Sequence, residues 1–124
     1  MYELTINTNF AAAHNLRHYK GSCERLHGHN YEVEIAITSK STDKLGMVID
    51  FKKVKTILKK TLSEFDHHYL NELKWFKKEN PSAEKIAETL YNLLAKRFGK
   101  GITLSYVKVW ESADCAAKYS TSSE

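Results

Sequence analysis

Alternating apolar and polar positions predict two long β-strands near the start of the chain. The first covers residues 2–10 and the second residues 27–38, and in both segments every second side chain is mostly apolar. Successive side chains of a strand point to opposite faces of the sheet, so each strand would bury one face. Residues 11–14 continue the first strand or turn away from it. Residues 15–26 have no regular period, and we interpret them as a loop between two antiparallel strands.

Helical spacing replaces the alternation in the middle of the chain. Asp50 is a suitable N-cap for a helix over residues 51–65, where apolar residues recur every three or four positions among lysines. Asn80 and Pro81 predict the start of a second helix, with proline in its first turn. Gly99 is expected to end this helix.

Two further strands are predicted after the second helix. Residues 102–111 alternate, and Leu104 is expected on the face opposite to Val107 and Glu111. A shorter strand is expected near residues 116–121. The order strand, strand, helix, helix, strand, strand is typical of an α+β fold, and we predict an antiparallel four-stranded sheet with both helices on one face.

Composition limits the class of protein. The 124 residues include 42% hydrophobic residues, 27% charged residues and one proline, which indicates a folded single domain over residues 1–124. Two cysteines do not make a disulfide framework, and neither a signal peptide nor a membrane span is apparent. We therefore expect a protein of the cytoplasm with no membrane partner. The net charge of +4 predicts either a solvated surface or an anionic partner.

Three histidines are candidate metal ligands. His27 and His29 are two positions apart on a predicted strand, so their side chains share a face. His14 lies at the end of the first strand. Three imidazoles suit zinc and leave its fourth position open, as catalytic sites require. The alternative is an exposed histidine-rich loop that binds metal only adventitiously.

Cys23 is a candidate reactive thiol, four residues before His27 and near the cationic residues Lys20 and Arg25. Cations next to a thiol favour the reactive thiolate. The residues alone leave three roles open for this thiol. These roles are a nucleophile, a general base, and a fourth zinc ligand that would close the site.

Two carboxylates complete the set of candidate residues. Asp66 precedes His67 and His68 and is able to orient an imidazole, although histidines directly after a helix also serve as C-caps. Glu111 lies on the predicted apolar face of its strand. It either emerges into water at the strand end or accepts hydrogen bonds from paired N–H groups of a ligand.

These motifs together resemble the 6-pyruvoyl-tetrahydropterin synthase family. The matching segments follow the family order and span nearly the whole chain: residues 10–14, 23–29, 46–51 and 66–71, Asn80 and Pro81 with Glu84, and the strand that ends at Glu111. Cys-x-x-x-His-Gly-His followed by Asp-His-His-Tyr-Leu-Asn is a highly specific combination. The three residues between Cys23 and His27 favour the branch of the family that forms a 6-carboxytetrahydropterin.

The resemblance implies a fold, a metal and an assembly. The fold is the tunnelling fold, in which subunits join their sheets into barrels. The usual assembly is a homohexamer made of two trimers, with active sites between subunits. His14, His27 and His29 match the ligands of a zinc ion.

The resemblance also implies roles for five further residues. Cys23 matches a catalytic proton acceptor, and His67 matches the catalytic histidine with Asp66 as its partner. Glu111 matches the carboxylate that anchors the pterin ring and belongs to the catalytic relay. Ser82 stands where relatives often have threonine, and its hydroxyl is expected to contact the pterin.

The implied activity is that of a lyase. It converts 7,8-dihydroneopterin triphosphate to 6-carboxytetrahydropterin, acetaldehyde and triphosphate, on the way to 7-deazapurines such as queuosine. The same site is compatible with forming 6-pyruvoyl-tetrahydropterin, or with cleaving only the dihydroneopterin side chain. Two other classes fit the residues: a zinc-stabilised nucleic-acid-binding module and a non-catalytic oligomeric pterin-binding protein. The resemblance favours an enzyme without a nucleic-acid partner.

Overall fold

Five β-strands form one sheet in a computed structural model of the chain, which describes residues 1–121. The elements in chain order are β1 (Tyr2–His14), β2 (His27–Ser39), α1 (Phe51–Leu62), β3 (His68–Tyr69), α2 (Ala83–Leu94), β4 (Thr103–Ser112) and β5 (Cys115–Tyr119). Short 3-10 helices cover Ser22–Glu24, Leu70–Glu72 and Lys74–Phe76. The predicted α+β fold is confirmed. Residues 122–124 of the predicted domain lie outside the described part of the chain.

The strand order is β3-β1-β2-β4-β5, and every neighbouring pair except β1 and β3 is antiparallel. The sequence predicted the other four strands but not β3, because two residues are too few to give a periodic signal. β3 runs parallel to β1, with His68 opposite Ala12. It therefore brings the segment after α1 to the end of β1.

β1 and β2 pair along their whole lengths, from Tyr2 opposite Ser39 to His14 opposite His27. Residues 11–14 thus continue β1 and do not turn away from it. The predicted alternation of β2 is confirmed, since Tyr31, Val33, Ile35 and Ile37 are all completely buried. The full-length pairing carries the two strands to a common end, where the loop of residues 15–26 leaves the sheet.

A β-bulge interrupts the pairing of β4 with β2. Ala36 lies opposite Tyr106 whereas Ile37 lies opposite Leu104, so Ser105 is an extra residue in β4. The extra residue turns Leu104 into the core, where it is 2% exposed. The predicted placement of Leu104 on the face opposite to Val107 was wrong, because strict alternation does not hold across a bulge.

One hydrophobic core joins the helices to the sheet. Phe10 of β1 stacks on Tyr31 of β2 with ring centroids 4.9 Å apart, and Leu58 of α1 and Leu90 of α2 are completely buried. Burying a side chain of this size stabilises the fold by about 1.5–3 kcal/mol. Within residues 1–121, neither helix is long and apolar enough to cross a membrane.

Helix α1 begins as predicted and ends earlier. The Oδ1 atom of Asp50 accepts a hydrogen bond from the backbone N–H of Lys52 at 2.9 Å, as an N-cap does. The last helical residue is Leu62, not the predicted residue 65. Phe65 is nevertheless completely buried, so its apolar character reflects packing of the turn after the helix and not helical periodicity.

Helix α2 is shorter than predicted at both ends. Ser82 is its N-cap, since the Ser82 hydroxyl oxygen accepts from the backbone N–H of Lys85 at 3.2 Å. Pro81 therefore precedes the cap and is not part of the first turn. The helix ends at Leu94, and Gly99, with a φ of 105°, lies in the turn beyond it. The prediction that Gly99 ends the helix was wrong, because the chain leaves the helix through Ala95 in a right-handed conformation.

Replacing Asp50 with alanine is expected to destabilise the protein by about 1 kcal/mol, because the first turn of α1 loses its cap. The free energy of unfolding in urea measures the effect. Asp50→Asn is the matched control, because asparagine retains a capping oxygen. Equal stability of Asp50→Ala and Asp50→Asn would contradict the assigned cap.

Candidate functional site

The structure brings the three candidate histidines into one group. His14 is the last residue of β1 and His27 is the first residue of β2, and the register places them opposite each other. His29 lies two positions further along β2, on the same face as His27. One ligand atom from each ring lies within 4.8 Å of the others. The antiparallel register of two strands therefore assembles a group able to hold a metal.

Backbone carbonyls fix the orientation of two of these rings. The Nδ1 atom of His14 lies 2.7 Å from the carbonyl oxygen of Pro81, and the Nδ1 atom of His27 lies 2.7 Å from that of Arg25. A carbonyl oxygen only accepts, so each Nδ1 carries the proton and each Nε2 of the neutral ring presents a lone pair. Outer partners of this kind orient the histidine ligands of metal sites.

The spacing of the Nε2 atoms fits a bound cation. The Nε2 atoms of His14 and His27 are 2.9 Å apart. Two lone pairs at this distance repel each other, and a cation held between them removes the repulsion. Three imidazole nitrogens form a donor set that suits zinc. The residues present therefore fit the metal that the family resemblance implies.

Burial favours the ligating form of two of the three rings, those of His14 and His29. His14 is 1% exposed, and burial lowers its pKa, although the hydrogen bond to Pro81 opposes the shift. Burial also lowers the pKa of His29, against the opposing charge of Glu111. Only the neutral ring binds a metal, so both shifts extend the metal-binding form towards lower pH.

The same shifts predict how the metal-free protein responds to acid. A histidine whose pKa is lowered on folding binds more protons in the unfolded chain, so stability is lost as the pH falls below the ordinary value of 6.5. We expect the melting temperature of the metal-free protein to fall between about pH 7.5 and about pH 5.5. His29→Gln should make this dependence shallower. A difference in melting temperature between the His29→Gln variant and the unsubstituted protein that is the same at every pH would contradict the prediction.

Glu111, near the end of β4, faces the histidine group. One of its carboxylate oxygens lies 3.4 Å from the Nε2 atom of His14 and 3.6 Å from that of His29. The side chain is 36% exposed. It therefore retains contact with solvent while its carboxylate lies beside the candidate ligands.

Asp66 and His67 form a second polar pair. The Oδ1 atom of Asp66 accepts a hydrogen bond from the backbone N–H of Ala11 at 2.9 Å, and its Oδ2 atom lies 3.1 Å from the Nδ1 atom of His67. The hydrogen bond from Ala11, together with that of His67, lowers the pKa of Asp66. The carboxylate is therefore ionised at neutral pH and is placed to orient the His67 ring.

The backbone at His67 is strained. Its φ of 59° is in the left-handed region, and its N–H donates to the carbonyl of Ala11 at 2.6 Å. For a residue with a side chain this conformation costs about 1–3 kcal/mol. The alternative that these histidines cap α1 is wrong, because the helix ends at Leu62, five residues before His67.

An open cavity connects the two polar groups within one chain. Its lining residues are Ala11, Ala12, Gly28, His29, Asn30 and His67. His29 of the histidine group and His67 of the second pair thus face a common space. His67 is largely exposed, with 82% of its side chain accessible, and is free to meet a ligand there.

Cys23 is not a member of the group of candidate ligands. It is half-buried in the 3-10 helix Ser22–Glu24 of the loop after β1. Among the described residues, the group within 4.8 Å contains three histidines and no thiol. Cys115, at the start of β5, is exposed, and its thiol lies 3.6 Å from a carboxylate oxygen of Asp114.

Sequence reasoning missed the groups that orient the ligands. The carbonyls of Pro81 and Arg25 hold the rings of His14 and His27. A backbone carbonyl gives no signal in a sequence. The Asn-Pro motif was nevertheless a pointer, because Pro81 is buried directly before the cap of α2 and its carbonyl reaches His14.

Comparison with known proteins identifies the family. A family model described as 6-pyruvoyl tetrahydropterin synthase matches residues 3–122. The chain therefore belongs to the 6-pyruvoyl tetrahydropterin synthase family, as the motifs indicated.

Relatives and solved structures agree with this assignment. A 6-carboxy-5,6,7,8-tetrahydropterin synthase of Rickettsia felis is 35% identical over 93% of this chain and 97% of its own length. A putative 6-carboxy-5,6,7,8-tetrahydropterin synthase of Archaeoglobus fulgidus is 38% identical over 88% of this chain and 87% of its own length. The 6-pyruvoyl tetrahydropterin synthase of Caenorhabditis elegans superimposes with a TM-score of 0.87 at 24% identity, covering 98% of this chain and 96% of that one. The implied tunnelling fold is confirmed.

Proposed function

We propose that the chain is a zinc-dependent 6-carboxy-5,6,7,8-tetrahydropterin synthase. The observation that carries the proposal is the group of His14, His27 and His29, whose ligand atoms lie within 4.8 Å of one another. Relatives named for this activity at about 35% identity favour the carboxy-forming reaction over its neighbours in the family. The substrates would be 7,8-dihydroneopterin triphosphate and one water molecule, and the products 6-carboxytetrahydropterin, acetaldehyde and triphosphate, in the formation of 7-deazapurines.

The proposed metal would be held by the Nε2 atoms of the three histidines. When bound, zinc would supply Lewis-acid chemistry towards the oxygens of the substrate side chain. The carbonyls of Pro81 and Arg25 keep the rings of His14 and His27 aligned, which limits the reorganisation that metal binding requires.

The chain's own side chains would move the protons. Cys23, as thiolate, takes a proton from the substrate, and His67 exchanges a proton with the side-chain oxygen. Asp66, whose Oδ2 atom lies 3.1 Å from the Nδ1 atom of His67, stabilises the protonated ring. Triphosphate leaves from the end of the side chain, and carbon–carbon cleavage with the uptake of one water molecule leaves the carboxylate on the ring and releases the other two carbons as acetaldehyde.

Glu111 and Ser82 would bind the ring system. The carboxylate of Glu111 lies beside the histidine group and is able to accept N–H groups from the amino-pyrimidine edge. The Ser82 hydroxyl already caps α2, and its remaining donor is available to a ligand. Among the basic residues, Lys20 and Arg25 are exposed and suit the triphosphate, whereas Arg17 donates to the carbonyls of Glu79 and Asn71.

We also propose the assembly of the family, a homohexamer of two trimers, in the cytoplasm. Within the described chain, no strand pairs with the outer edge of β5, and β3 pairs with the outer edge of β1 only at Ala12 and Ala13. Such edges suit pairing with other copies. In that assembly Cys23 of one subunit and His67 of another would meet at one site.

Product analysis tests the proposed function. Purified, zinc-loaded protein is incubated with 7,8-dihydroneopterin triphosphate, and the products are identified by mass. We expect 6-carboxytetrahydropterin together with acetaldehyde. A 6-pyruvoyl product without acetaldehyde would assign the chain to the pyruvoyl-forming reaction, and an intact substrate would point to a pterin-binding protein.

A further inference from the structure

One buried asparagine ties the loop that carries Cys23 to the rest of the fold. Asn71 is 6% exposed. Its Oδ1 atom accepts from the backbone N–H of Asn15 at 3.1 Å, and its Nδ2 atom donates to the carbonyl of Asn15 at 3.0 Å. A single side-chain amide thus satisfies both backbone groups of a loop residue, as a neighbouring strand would. We call this paired contact the Asn71 clamp.

Asn15 extends the clamp to the thiol residue. Its Nδ2 atom donates to the carbonyl of Glu24 at 3.2 Å, and the next residue, Leu16, donates its N–H to the carbonyl of Cys23 at 2.7 Å. The Tyr69 hydroxyl donates to the Oδ1 atom of Asn15 at 2.5 Å. The peptide groups on the carboxyl side of the thiol are therefore held by residues that directly follow His14.

A second asparagine repeats the contact two residues further along the loop. The Oδ1 atom of Asn80 accepts from the N–H of Arg17 at 2.8 Å, and its Nδ2 atom donates to the carbonyl of Arg17 at 3.0 Å. Asn80 precedes Pro81, whose carbonyl orients His14. The Asn80–Pro81 segment thus contacts both the loop and a candidate metal ligand, whereas the Asn71 side chain contacts only the loop.

We propose that Asn71 is a positioning residue for the Cys23 thiol, acting through Asn15. The clamp fixes the separation between the thiol and His14, which lies one residue before Asn15. The role of the thiol in turnover rests on the proposed function, but the clamp itself is measurable without any substrate.

Loss of the clamp exposes the Cys23 thiol through local opening of the loop, without unfolding of the whole chain. Loss of one hydrogen bond shifts the equilibrium between the closed and the open loop by about five-fold towards the open form. Opening of the loop exposes the half-buried thiol while the sheet and the histidine group stay intact. In turnover, a misplaced thiol lowers kcat, whereas KM is governed by groups elsewhere in the site such as Glu111.

The test measures alkylation of Cys23 by iodoacetamide in a Cys115→Ser background, so that Cys23 is the only thiol in the chain. Asn71→Asp keeps the accepting oxygen and removes the donor of the clamp. Asn15→Ala removes the bonds to Glu24 and Tyr69 and leaves the backbone contact with Asn71 in place. Asn92→Asp, at an exposed position of α2, is the matched control.

We expect Asn71→Asp and Asn15→Ala each to accelerate alkylation by at least about five-fold, with zinc content unchanged and kcat reduced more than KM is raised. Asn92→Asp should leave the rate unchanged. If Asn71→Asp fails to fold, Asn15→Ala decides alone. Asn15 is a half-buried loop residue, so its substitution leaves the core intact. An unchanged alkylation rate in Asn15→Ala, or an equal rise in Asn92→Asp, would overturn the inference. Because alkylation needs no substrate, this outcome is distinct from failure of the proposed reaction.

Discussion

Replacing Cys23 with alanine is expected to lower kcat for the proposed reaction by at least about 100-fold, because a positioned proton acceptor contributes that much or more. The zinc content and the melting temperature should not change. Cys23 is half-buried in a loop and lies outside the group of ligand atoms within 4.8 Å, so its removal costs neither a ligand nor core packing. Product formation at saturating substrate and metal analysis of the same sample measure both quantities.

Cys115→Ala is the control for the loss of a thiol. Cys115 is exposed at the start of β5, and its substitution should leave turnover unchanged. Two outcomes would contradict the role assigned to Cys23. Unchanged turnover in Cys23→Ala with intact zinc content would remove the thiol from the reaction, and loss of zinc would make it a ligand.

Replacing His27 with alanine is expected to weaken zinc binding by at least about 100-fold, since the loss of outer partners alone costs 10–100-fold. Activity should be lost with the metal. The fold should be retained, because the His27 side chain is half-buried at the edge of the site and the core of the sheet does not depend on it. A competition titration against a metal indicator measures affinity, and circular dichroism measures the fold.

His68→Ala is the control for the loss of an imidazole, because His68 is exposed in β3 and lies outside the histidine group. The zinc affinity of this variant should match that of the unsubstituted protein.

Removal of the metal by a chelator tests whether the chain belongs to another class of protein. Unfolding on chelation, together with salt-sensitive binding of DNA or RNA, would favour a zinc-stabilised nucleic-acid-binding module over the proposed enzyme.

The elements with a strong periodic signal were predictable from the sequence. β1, β2 and the start of α1 follow from alternation, helical spacing and the Asp50 cap. His27 and His29 were expected on one face because they lie two residues apart on a strand. The same reasoning failed at Leu104, where a bulge adds one residue and reverses the face. It also failed at the end of α1, where buried Phe65 extends the apolar pattern beyond the last helical residue.

The contacts that complete the candidate site were not predictable. Whether His14 meets His27 depends on the register of β1 and β2, which is set along the whole strand pair and not by the histidines. The Asn71 clamp depends on a side chain 56 residues away from its partner. The family motif included Asn71 and Asn80, but a motif alone does not state which backbone groups their amides bind.

His14 pairs with His27 at the ends of two strands, so the positions of these ligands do not depend on the length of the loop that joins them. The ligand residues are fixed by the sheet, whereas the loop of residues 15–26 that joins them is free to change in length without moving them. Such a change would instead move the thiol that the loop carries. Under the proposed function, divergence of loop length between branches of the family would therefore alter the proton chemistry and preserve the candidate metal site.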